Sequence, residues 1–499
     1  MKRNAFKSII LLGFWNLFIL NPLIAQIAKW PQYRGPNCSG IAAADQTPPV
    51  KIDTATNLLW KIAVAEGHSS PCIWDNRIFL TGIDRDKSEL FIFCIDRNTG
   101  DEIWRKTITA EQIESVHAIS CPANATAATD GESVYVYFGS YGLICYSMDG
   151  MEQWELPMPI PKSTHGMGTS PIVSGNLVVL NCCNDQNDPR LIAVNRNTGK
   201  LAWKATIPPT DSYFGNEGYS TPVVWNDQII IYRRGMIEAY NSEDGSLKWW
   251  FVTNTDGVST PIIGENILYV GTFTAAGDPS WQNEIPDFKT LIDENDRDSD
   301  SFISEEEFPR DIVFLNRPEI GDEFGGEANL LNFFGMMDTT NNGVLDSLEW
   351  DNTLDIFRWI YAEHGLVAIK PKGKGDITMN SLLWKEVKGV PEIPSPLYHK
   401  GRIYMIKNGG LVSCLDATTG SLIYREKLGS SGPYISSPII ADDKLYIASQ
   451  RGILTVFEIG DSLKILAKSD LNEQIMTTPA IVDNKLYIRT SDSLFAFGD

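Results

Sequence analysis

A twelve-residue pattern recurs along the chain and constrains the fold more than any other feature. Each copy has a small residue, a polar turn that ends in glycine, and an aromatic residue four positions after that glycine. The copies are FCIDRNTGDEIW (93–104), IAVNRNTGKLAW (192–203), EAYNSEDGSLKW (238–249) and SCLDATTGSLIY (413–424), with a shorter one that ends at Trp154. Repetition of this kind indicates supersecondary units that pack against one another.

A second signature, in which a small polar residue and a proline open an apolar strand, accompanies these copies. It occurs as SSPCIW, CPANAT, TSPIVS, STPVVW, STPIIG, PSPLYH, SSPIIA and TTPAIV. Each unit therefore reads as a four-stranded antiparallel meander with a glycine turn before its last strand. Such a sheet cannot bury both faces alone. Eight units are expected to pack around an axis as an all-β, eight-bladed β-propeller.

The unit that starts at TTPAIV has only three strands of its own. The segment Asn57–Val64 offers a fourth, because its Trp60 stands where other units carry their closing aromatic residue. Pairing of these two segments would close the ring and remove the exposed edge of the final blade.

The spacing of the small residue in the third strand changes once along the chain. This residue is assigned to Cys94, Cys145, Ala193, Ala239, Ala368, Cys414, Phe457 and Ala496. The gap after Ala239 is 129 residues, whereas the other gaps are 39 to 51 residues. We therefore expect a small α-helical domain at 281–363 (the insert) within blade five, between propeller segments 26–280 and 364–499.

The insert contains 21 acidic and 5 basic residues and so holds most of the net charge of −21. Two of its loops match the EF-hand template, in which alternate oxygen ligands surround one hard cation. The predicted calcium ligands are Asp296, Asp298, Asp300, the Phe302 carbonyl, Ser304 and Glu307 in the first loop, and Asp338, Thr340, Asn342, the Val344 carbonyl, Asp346 and Glu349 in the second.

Both loops depart from the template. Ser301 replaces the glycine wanted at the sixth position of the first loop, Pro309 shortens or bends its exit helix, and Thr340 removes one acid from the second. Ile303 and Leu345, at the eighth positions, suit the short β-bridge that couples paired loops. The alternative is a pair of solvated acidic loops. Extracellular calcium sites bind in the ~0.1–1 mM range, which favours a structural role for the ion.

The N-terminal sequence has the pattern of a secretory signal at 1–25. Lys2, Arg3 and Lys7 precede an apolar run from Ser8 to Leu20, and Ala25 is a small residue at the expected cleavage position. The alternative, an uncleaved anchor, is disfavoured because the run is shorter than the ~20 residues of a membrane span. No cysteine lies near the cleavage site, so we do not expect a lipid anchor of the bacterial lipoprotein type. We expect a periplasmic or secreted protein without a transmembrane segment after cleavage.

The repeats NRNTGKLAW and DATTGSLIY resemble the docking motif A-x-D-x-x-T-G-x-x-x-W of the pyrroloquinoline-quinone-type β-propeller repeat family. The opening QYRGPNCSG (32–40), followed by GHSSP (67–71), is similar to secreted bacterial members of that family. The resemblance covers roughly 30–280 and 364–499 and implies the propeller fold. It implies two functions, since one branch contains quinone-dependent dehydrogenases and another contains scaffolds such as the outer-membrane assembly lipoprotein.

The cysteines fall into three groups. Cys94, Cys145 and Cys414 stand where sister units have alanine, which predicts small buried core residues. The roles of Cys38, Cys72 and Cys121 stay open. The adjacent pair Cys182 and Cys183 has two interpretations: ordinary thiols, or the vicinal disulfide that the resemblance to quinone-dependent alcohol dehydrogenases implies.

Two histidines precede innermost strands and are expected near one mouth of the central channel. They are His68, in GHSSP, and His165, in HGMGTSP; Arg233 and Arg234, in YRRG, are further candidates for the same mouth. One interpretation is that of hydrogen-bonded loop residues. The other is a site for an anionic ligand or a partner segment.

These observations favour an exported, calcium-binding propeller that acts as a binding or scaffold protein for a protein or glycan partner. The negative net charge argues against nucleic acid, since phosphate binding needs clustered basic residues. The alternative is a pyrroloquinoline-quinone-dependent oxidoreductase of the alcohol or sugar dehydrogenase type, although no catalytic acid can be assigned. A hydrolytic or other carbohydrate-active propeller is a third hypothesis.

Overall fold

A computed structural model describes residues 29–207, 217–274, 277–317, 319 and 326–498 of the chain. The predicted signal at 1–25 lies outside these residues. Within the described part, no helix combines the length and the apolar character that a membrane crossing needs.

Eight sheets of four antiparallel strands form the blades, which confirms the predicted eight-bladed propeller. From the inner to the outer strand, blade one is Cys72–Trp74, Arg77–Asp84, Glu89–Asp96 and Glu102–Thr109; blade two is Ala128–Thr129, Ser133–Phe138, Gly142–Ser147 and Glu152–Pro157; and blade three is Ile172–Ser174, Leu177–Asn181, Arg190–Asn195 and Leu201–Thr206. Blade four is Val223–Trp225, Gln228–Arg233, Met236–Asn241 and Leu247–Val252; blade five is Ile262–Gly264, Ile267–Thr272, Gly365–Ile369 and Leu382–Glu386; and blade six is Leu397–His399, Arg402–Lys407, Leu411–Asp416 and Leu422–Lys427. Blade seven is Ile439–Ala441, Lys444–Ala448, Ile453–Glu458 and Lys464–Asp470, and blade eight is Ala480–Val482, Lys485–Arg489, Ser493–Phe497 and Leu58–Ala63. Two short strands extend these sheets, Lys29–Trp30 at the inner edge of blade one and Gly375–Asp376 at the outer edge of blade four.

The insert lies in the connection between the second and third strands of blade five, because the chain leaves that sheet after Thr272 and returns at Gly365. Its helices are α1 (Phe288–Asn295), α2 (Phe334–Met337) and α3 (Ser347–Glu363). A further helix, α4 (Thr378–Ser381), lies between the third and fourth strands of blade five. Short strands pair Ile303–Ser304 with Val344–Leu345 and Val313–Asn316 with Glu327–Asn329. Single 3-10 turns span Pro36–Cys38, Leu330–Phe333 and Asn408–Gly410. The insert has an apolar core of its own.

The outer strand of blade eight comes from the other end of the chain. Leu58–Ala63 pairs antiparallel with Ser493–Phe497, and Trp60 lies opposite Ala496. The ring of blades is therefore closed by main-chain hydrogen bonds between segments more than 400 residues apart.

A ring of eight hydrogen bonds joins the innermost strands. In each blade, the hydroxyl residue just before the first strand donates its backbone N–H to the hydroxyl of the equivalent residue in the next blade, at 2.9–3.3 Å. The eight members are Ser70, Thr126, Ser170, Thr221, Thr260, Ser395, Ser437 and Thr478, and the last donates to the first. The repeated serine or threonine before proline is thus the residue that links neighbouring blades.

A second set of contacts joins the blades at their outer strands. Five tryptophans donate the indole N–H to a carbonyl in the glycine turn of the next blade, at 2.8–3.1 Å. They are Trp60, Trp104, Trp154, Trp203 and Trp384. Each ring packs on the turn glycine itself, whose φ is positive, so that a Cβ added there would lie 2.5–2.9 Å from ring atoms.

Two positions of the predicted repeat were wrong. In blade two the hydroxyl of the ring belongs to Thr126, whereas the proline of the predicted signature, Pro122, lies four residues upstream. The residue after Thr126 is Ala127, where the other blades have proline. In blade seven the third-strand position is Val456 and not Phe457, since Val456 lies opposite Ala467. In the other blades a tryptophan or tyrosine of the fourth strand lies opposite the small third-strand residue and identifies it in the sequence. In blade seven Ala467 takes the place of that aromatic residue.

The segment at 29–42 crosses one end of the propeller axis. Tyr33 Oη lies 3.2 Å from a ring hydroxyl of blade seven, and Asn37 exchanges two 2.9 Å hydrogen bonds with Val224 of blade four. Ile41 forms a bridge with Ile440 of blade seven. The QYRGPNCSG motif therefore reaches from blade seven to blade four across the end of the central channel.

We expect the packing of an indole on its turn glycine to be measurable with a matched pair in blade six. Gly420 and Gly401 have the same φ of 75°, but a Cβ at Gly420 would lie 2.5 Å from the ring of Trp384, whereas nothing lies within 4 Å of one at Gly401. Gly401→Ala should cost about 1–2 kcal/mol from the left-handed backbone, and Gly420→Ala about 1–3 kcal/mol more from overpacking. Urea unfolding checks this, and equal losses would contradict it.

Candidate functional site

A cavity of about 620 Å³ lies on the propeller axis, above the ring of hydroxyls. Its size is in the range of small-molecule sites. Apart from the hydroxyls, its walls include His68, His117, His165, Tyr33, Tyr219, Phe273, Arg234, Asp256 and Glu392. Several of these residues come from loops that connect one blade to the next.

His68 and His165 are poor cations. Burial lowers the pKa of His68 to about 4, and burial together with the neighbouring His117 lowers the pKa of His165. Tyr219 donates its hydroxyl proton to Glu217 at 2.6 Å and lies 3.3 Å from His165 Nδ1. Nδ1 of His165 must then carry the proton, and Nε2 is left as an acceptor. Neither His68 nor His165 supplies positive charge at neutral pH.

The two predicted arginines lie in different environments. Arg234 lines the cavity, where its guanidinium contacts Asp256 at 3.0 Å and Glu217 at 3.8 Å. Arg233 points into the core and forms a fully buried ion pair with Glu238 at 2.7 Å. The structure therefore brings His68, His165 and Arg234 together and places Arg233 elsewhere, because adjacent strand residues face opposite sides of the sheet.

All eight cysteines are buried free thiols. Cys182 belongs to the core between blades two and three, whereas Cys183 belongs to the core between blades three and four. Burial raises the pKa of Cys182 to about 12, so its thiol is unreactive at neutral pH. Because the two side chains pack into different cores, the interpretation of two ordinary thiols stays our prediction for this pair.

Three carboxylates converge in the first acidic loop of the insert. Carboxylate oxygens of Asp296, Asp298 and Glu307 lie within 4.8 Å of one another. Ser301, at the sixth position, adopts φ of 67°, the left-handed conformation that the template requires there. Asp296 and Glu307 also accept backbone N–H groups from within the loop, which orients their oxygens.

The second loop has the same local geometry. Gly343, at its sixth position, has φ of 87°. Asp338 accepts the backbone N–H of Gly343 at 2.8 Å, and Glu349 accepts that of Thr340 at 3.0 Å. Asp346 forms a capping box with Glu349 at the start of α3. The two loops are joined where Ile303 pairs with Leu345.

The insert is attached to blade six through buried charges. Lys407, on the second strand of that blade, forms a 2.7 Å ion pair with Asp278, which lies three residues before the insert, and both side chains are almost fully buried. The Lys407 ammonium lies 3.3 Å from the ring centroid of Trp281. Arg317 stacks on the same ring at 4.6 Å and pairs with Glu392 in the wall of the cavity. The insert and the cavity therefore share one network.

A buried carboxyl that the sequence does not single out lies near the cavity loops. Glu114 is 4% exposed, and neither of its carboxyl oxygens has a hydrogen-bond partner. Burial raises its pKa to about 8. Gly139 leaves the room for it, since a Cβ there would lie 2.5 Å from both oxygens. Its loop has no periodicity, so no sequence signal marks it.

The family model described as outer membrane protein assembly factor BamB matches residues 49–275 and 375–494. The BamB protein of Yersinia pestis is 24% identical over 284 residues, which are 53% of this chain and 66% of that protein. The dehydrogenase subunit of the quinone alcohol dehydrogenase of Acetobacter aceti is 27% identical over 126 residues, 20% of this chain and 17% of that protein. The match thus spans just under two thirds of the first relative and a small part of the second.

A europium-containing methanol dehydrogenase has a similar structure, with a TM-score of 0.56 and 11% identity over 95% of this chain and 98% of that chain. At this identity the likeness concerns the fold alone. The family match leaves out residues 276–374, so the insert is a feature that the family model does not cover.

We expect Glu114 to make stability depend on pH. Its folded pKa of about 8 lies above its usual value of 4.5, so the folded state keeps a proton that the unfolded state loses. Stability from this group is therefore present below pH 4.5 and is lost as the pH rises to about 8, by up to about 1.4 kcal/mol per pH unit. Glu114→Gln should flatten this slope in urea unfolding between pH 5 and 8, whereas Glu111→Gln, an exposed change in the same loop, should not. Parallel slopes for all three proteins would contradict the assignment.

Proposed function

Since the chain belongs to the family of the outer membrane protein assembly factor BamB, we propose that it is an exported, calcium-binding scaffold that holds a protein or glycan partner in the periplasm or outside the cell. The aligned part of the chain falls short of the relatives' full length, so their printed roles serve here as a guide to the class of function. A propeller suits that class because its connecting loops vary without disturbing the core.

The observation that carries the proposal is the way the insert is built and held. Its two loops are paired through Ile303 and Leu345, and they have the backbone conformation that an EF-hand needs at the sixth position. The Lys407–Asp278 ion pair just before the insert, and the contact of Lys407 with the Trp281 ring, then fix the insert to blade six. Such an element, once loaded with calcium, would present one rigid surface beside the cavity mouth.

The calcium ligands in this proposal are those of the template. Asp296, Asp298 and Glu307 already converge, and Asp300, Ser304 and the Phe302 carbonyl would complete the first site. Asp338, Thr340, Asn342, Asp346, Glu349 and the Val344 carbonyl would form the second. Binding of calcium there relieves the repulsion among like charges and so stabilises the fold of the insert.

We expect the full chain to bind two calcium ions in the ~0.1–1 mM range by isothermal titration calorimetry. Glu307→Gln and Glu349→Gln should each abolish one site, because each removes a bidentate ligand. The matched control is Glu305→Gln, an exposed acid of the first loop outside the ligand set. An absence of binding at millimolar calcium, or an equal loss in the control, would refute the proposal. Circular dichroism checks that each variant is folded.

A second candidate, a quinone-dependent oxidoreductase, is favoured by the match to the quinone alcohol dehydrogenase. The residues of the axial cavity do not fit pyrroloquinoline quinone, which is a polycarboxylate. His68 and His165 are half-buried and neutral at pH 7 because their pKa values are lowered. Arg234 already contacts Asp256 and Glu217, and Glu392 adds a further acid. Transfer of an anion into such a cavity would lack a compensating charge. We therefore derive no catalytic step from the quinone.

We expect no saturable binding when the calcium-loaded protein is titrated with pyrroloquinoline quinone at micromolar concentrations, followed by tryptophan emission. Asp256→Asn removes one acid beside Arg234 and should increase affinity for the quinone. Tight binding to the wild-type protein that Arg234→Gln abolishes would instead support the oxidoreductase.

A further inference from the structure

Helix α3 is apolar on two sides. One side carries Trp350, Leu354 and Phe357, which pack into the core of the insert. Trp350 is fully buried, and its indole N–H donates to the Pro286 carbonyl at 3.1 Å. This side accounts for the folding of the insert and leaves the other side without a structural role.

The other side of α3 carries three large apolar side chains in solvent. Leu348, Ile356 and Trp359 are 66%, 49% and 37% exposed. At 100° per residue they fall within about 80° of one another and form a stripe about 16 Å long, which also contains the exposed Asn352. A helix that is apolar on its solvent side as well as its core side is expected to have a further contact.

Further apolar surface lies on the preceding segment. Met336 is 54% exposed and Phe333 is 39% exposed. Phe333 packs edge-to-face on Phe314, whose ring lies 4.9 Å from that of Phe357 on α3. Phe357 lies on the core side of α3, so Phe333 does not belong to the solvent-side stripe. The stripe itself still places three large apolar side chains in solvent on one helix face, whereas single exposed residues need no explanation.

The charge around this surface selects the occupant. The insert carries 21 acidic and 5 basic residues. Asp351 is exposed on α3 beside the stripe, and Asp355 is paired there with Arg358 at 2.6 Å. A second copy of the chain would bring the same negative charge, and an anionic membrane would also be repelled. A segment with an apolar stripe and basic flanks would match both the apolar contact and the charge.

We infer that the solvent side of α3, with Leu348, Ile356 and Trp359 as its centre, docks a basic amphipathic helix of a partner protein. This inference rests on the proposed scaffold function and names the partner chemistry that the insert would accept. The partner's apolar residues at i, i+3/i+4 and i+7 lie along the stripe, and its lysines or arginines face the acids of the insert.

The test uses a fluorescently labelled leucine–lysine peptide patterned as an amphipathic helix, titrated with the calcium-loaded full chain and followed by anisotropy. We expect saturable binding at micromolar protein, and at least tenfold weaker binding to the double variant Ile356→Gln/Trp359→Gln. The matched control is Met151→Gln, which changes an apolar residue on blade two that is more exposed (65%) than either residue of the double variant and should bind as the wild type does. A peptide with glutamate in place of every lysine should not bind.

Three outcomes would overturn the inference: no binding, equal binding by the double variant, or equal weakening by the Met151→Gln control. The second outcome would mean that the peptide only follows the general negative charge. Light scattering decides the remaining occupant, since a wild-type dimer that the double variant loses would assign the surface to a second copy. Calcium calorimetry on the same samples distinguishes failure of this inference from failure of the proposed function. Calcium binding without peptide binding overturns only the inference, whereas the absence of calcium binding refutes the proposed function.

Discussion

The ring of eight hydrogen bonds at the axis is the contact on which the arrangement of the blades depends. Each hydroxyl accepts from the preceding blade, so every blade is held on both sides and no member can leave without exposing a buried N–H. A buried donor without its partner costs about 1–3 kcal/mol. The contacts between each indole and the next glycine turn lie farther from the axis. Together with the inner ring of hydrogen bonds, they fix the tilt of each sheet relative to the next. The loops above the ring are then free to differ.

Much of the fold could be predicted because packing repeats itself. The small third-strand residues mark where an indole from the neighbouring strand must lie close, and Trp60 identified the closing strand for the same reason. Prediction failed where the chemistry does not repeat. Blade seven has Ala467 in place of the aromatic marker, and the register assigned there was wrong by one residue. Blade two has an alanine after Thr126, which hid its ring hydroxyl.

The candidate site was less predictable than the fold. His68, His165 and Arg234 were placed near the axis because they precede or follow inner strands, and the structure brings them to one cavity. Their charge state depends on burial and on Asp256 and Glu217, which come from other loops and leave no signal in sequence. Glu114 escaped notice for the same reason. By contrast, the acidic loops follow a local template, since all their proposed ligands lie within twelve consecutive residues.

Blade eight combines the strand at Leu58–Ala63 with strands that lie more than 400 residues later. Such a pairing has a very high contact order, and the search for it is slow. During synthesis the early strand emerges first and waits as an unpaired edge, which is a template for aggregation. Its side chains Leu59 and Lys61 are partly in solvent even in the finished sheet, and Lys61 holds an ion pair with Glu473. A charged residue in this strand is a means by which a chain keeps an early edge soluble until the last strand arrives, so the closing strand has to satisfy the kinetics of folding as well as the geometry of the ring.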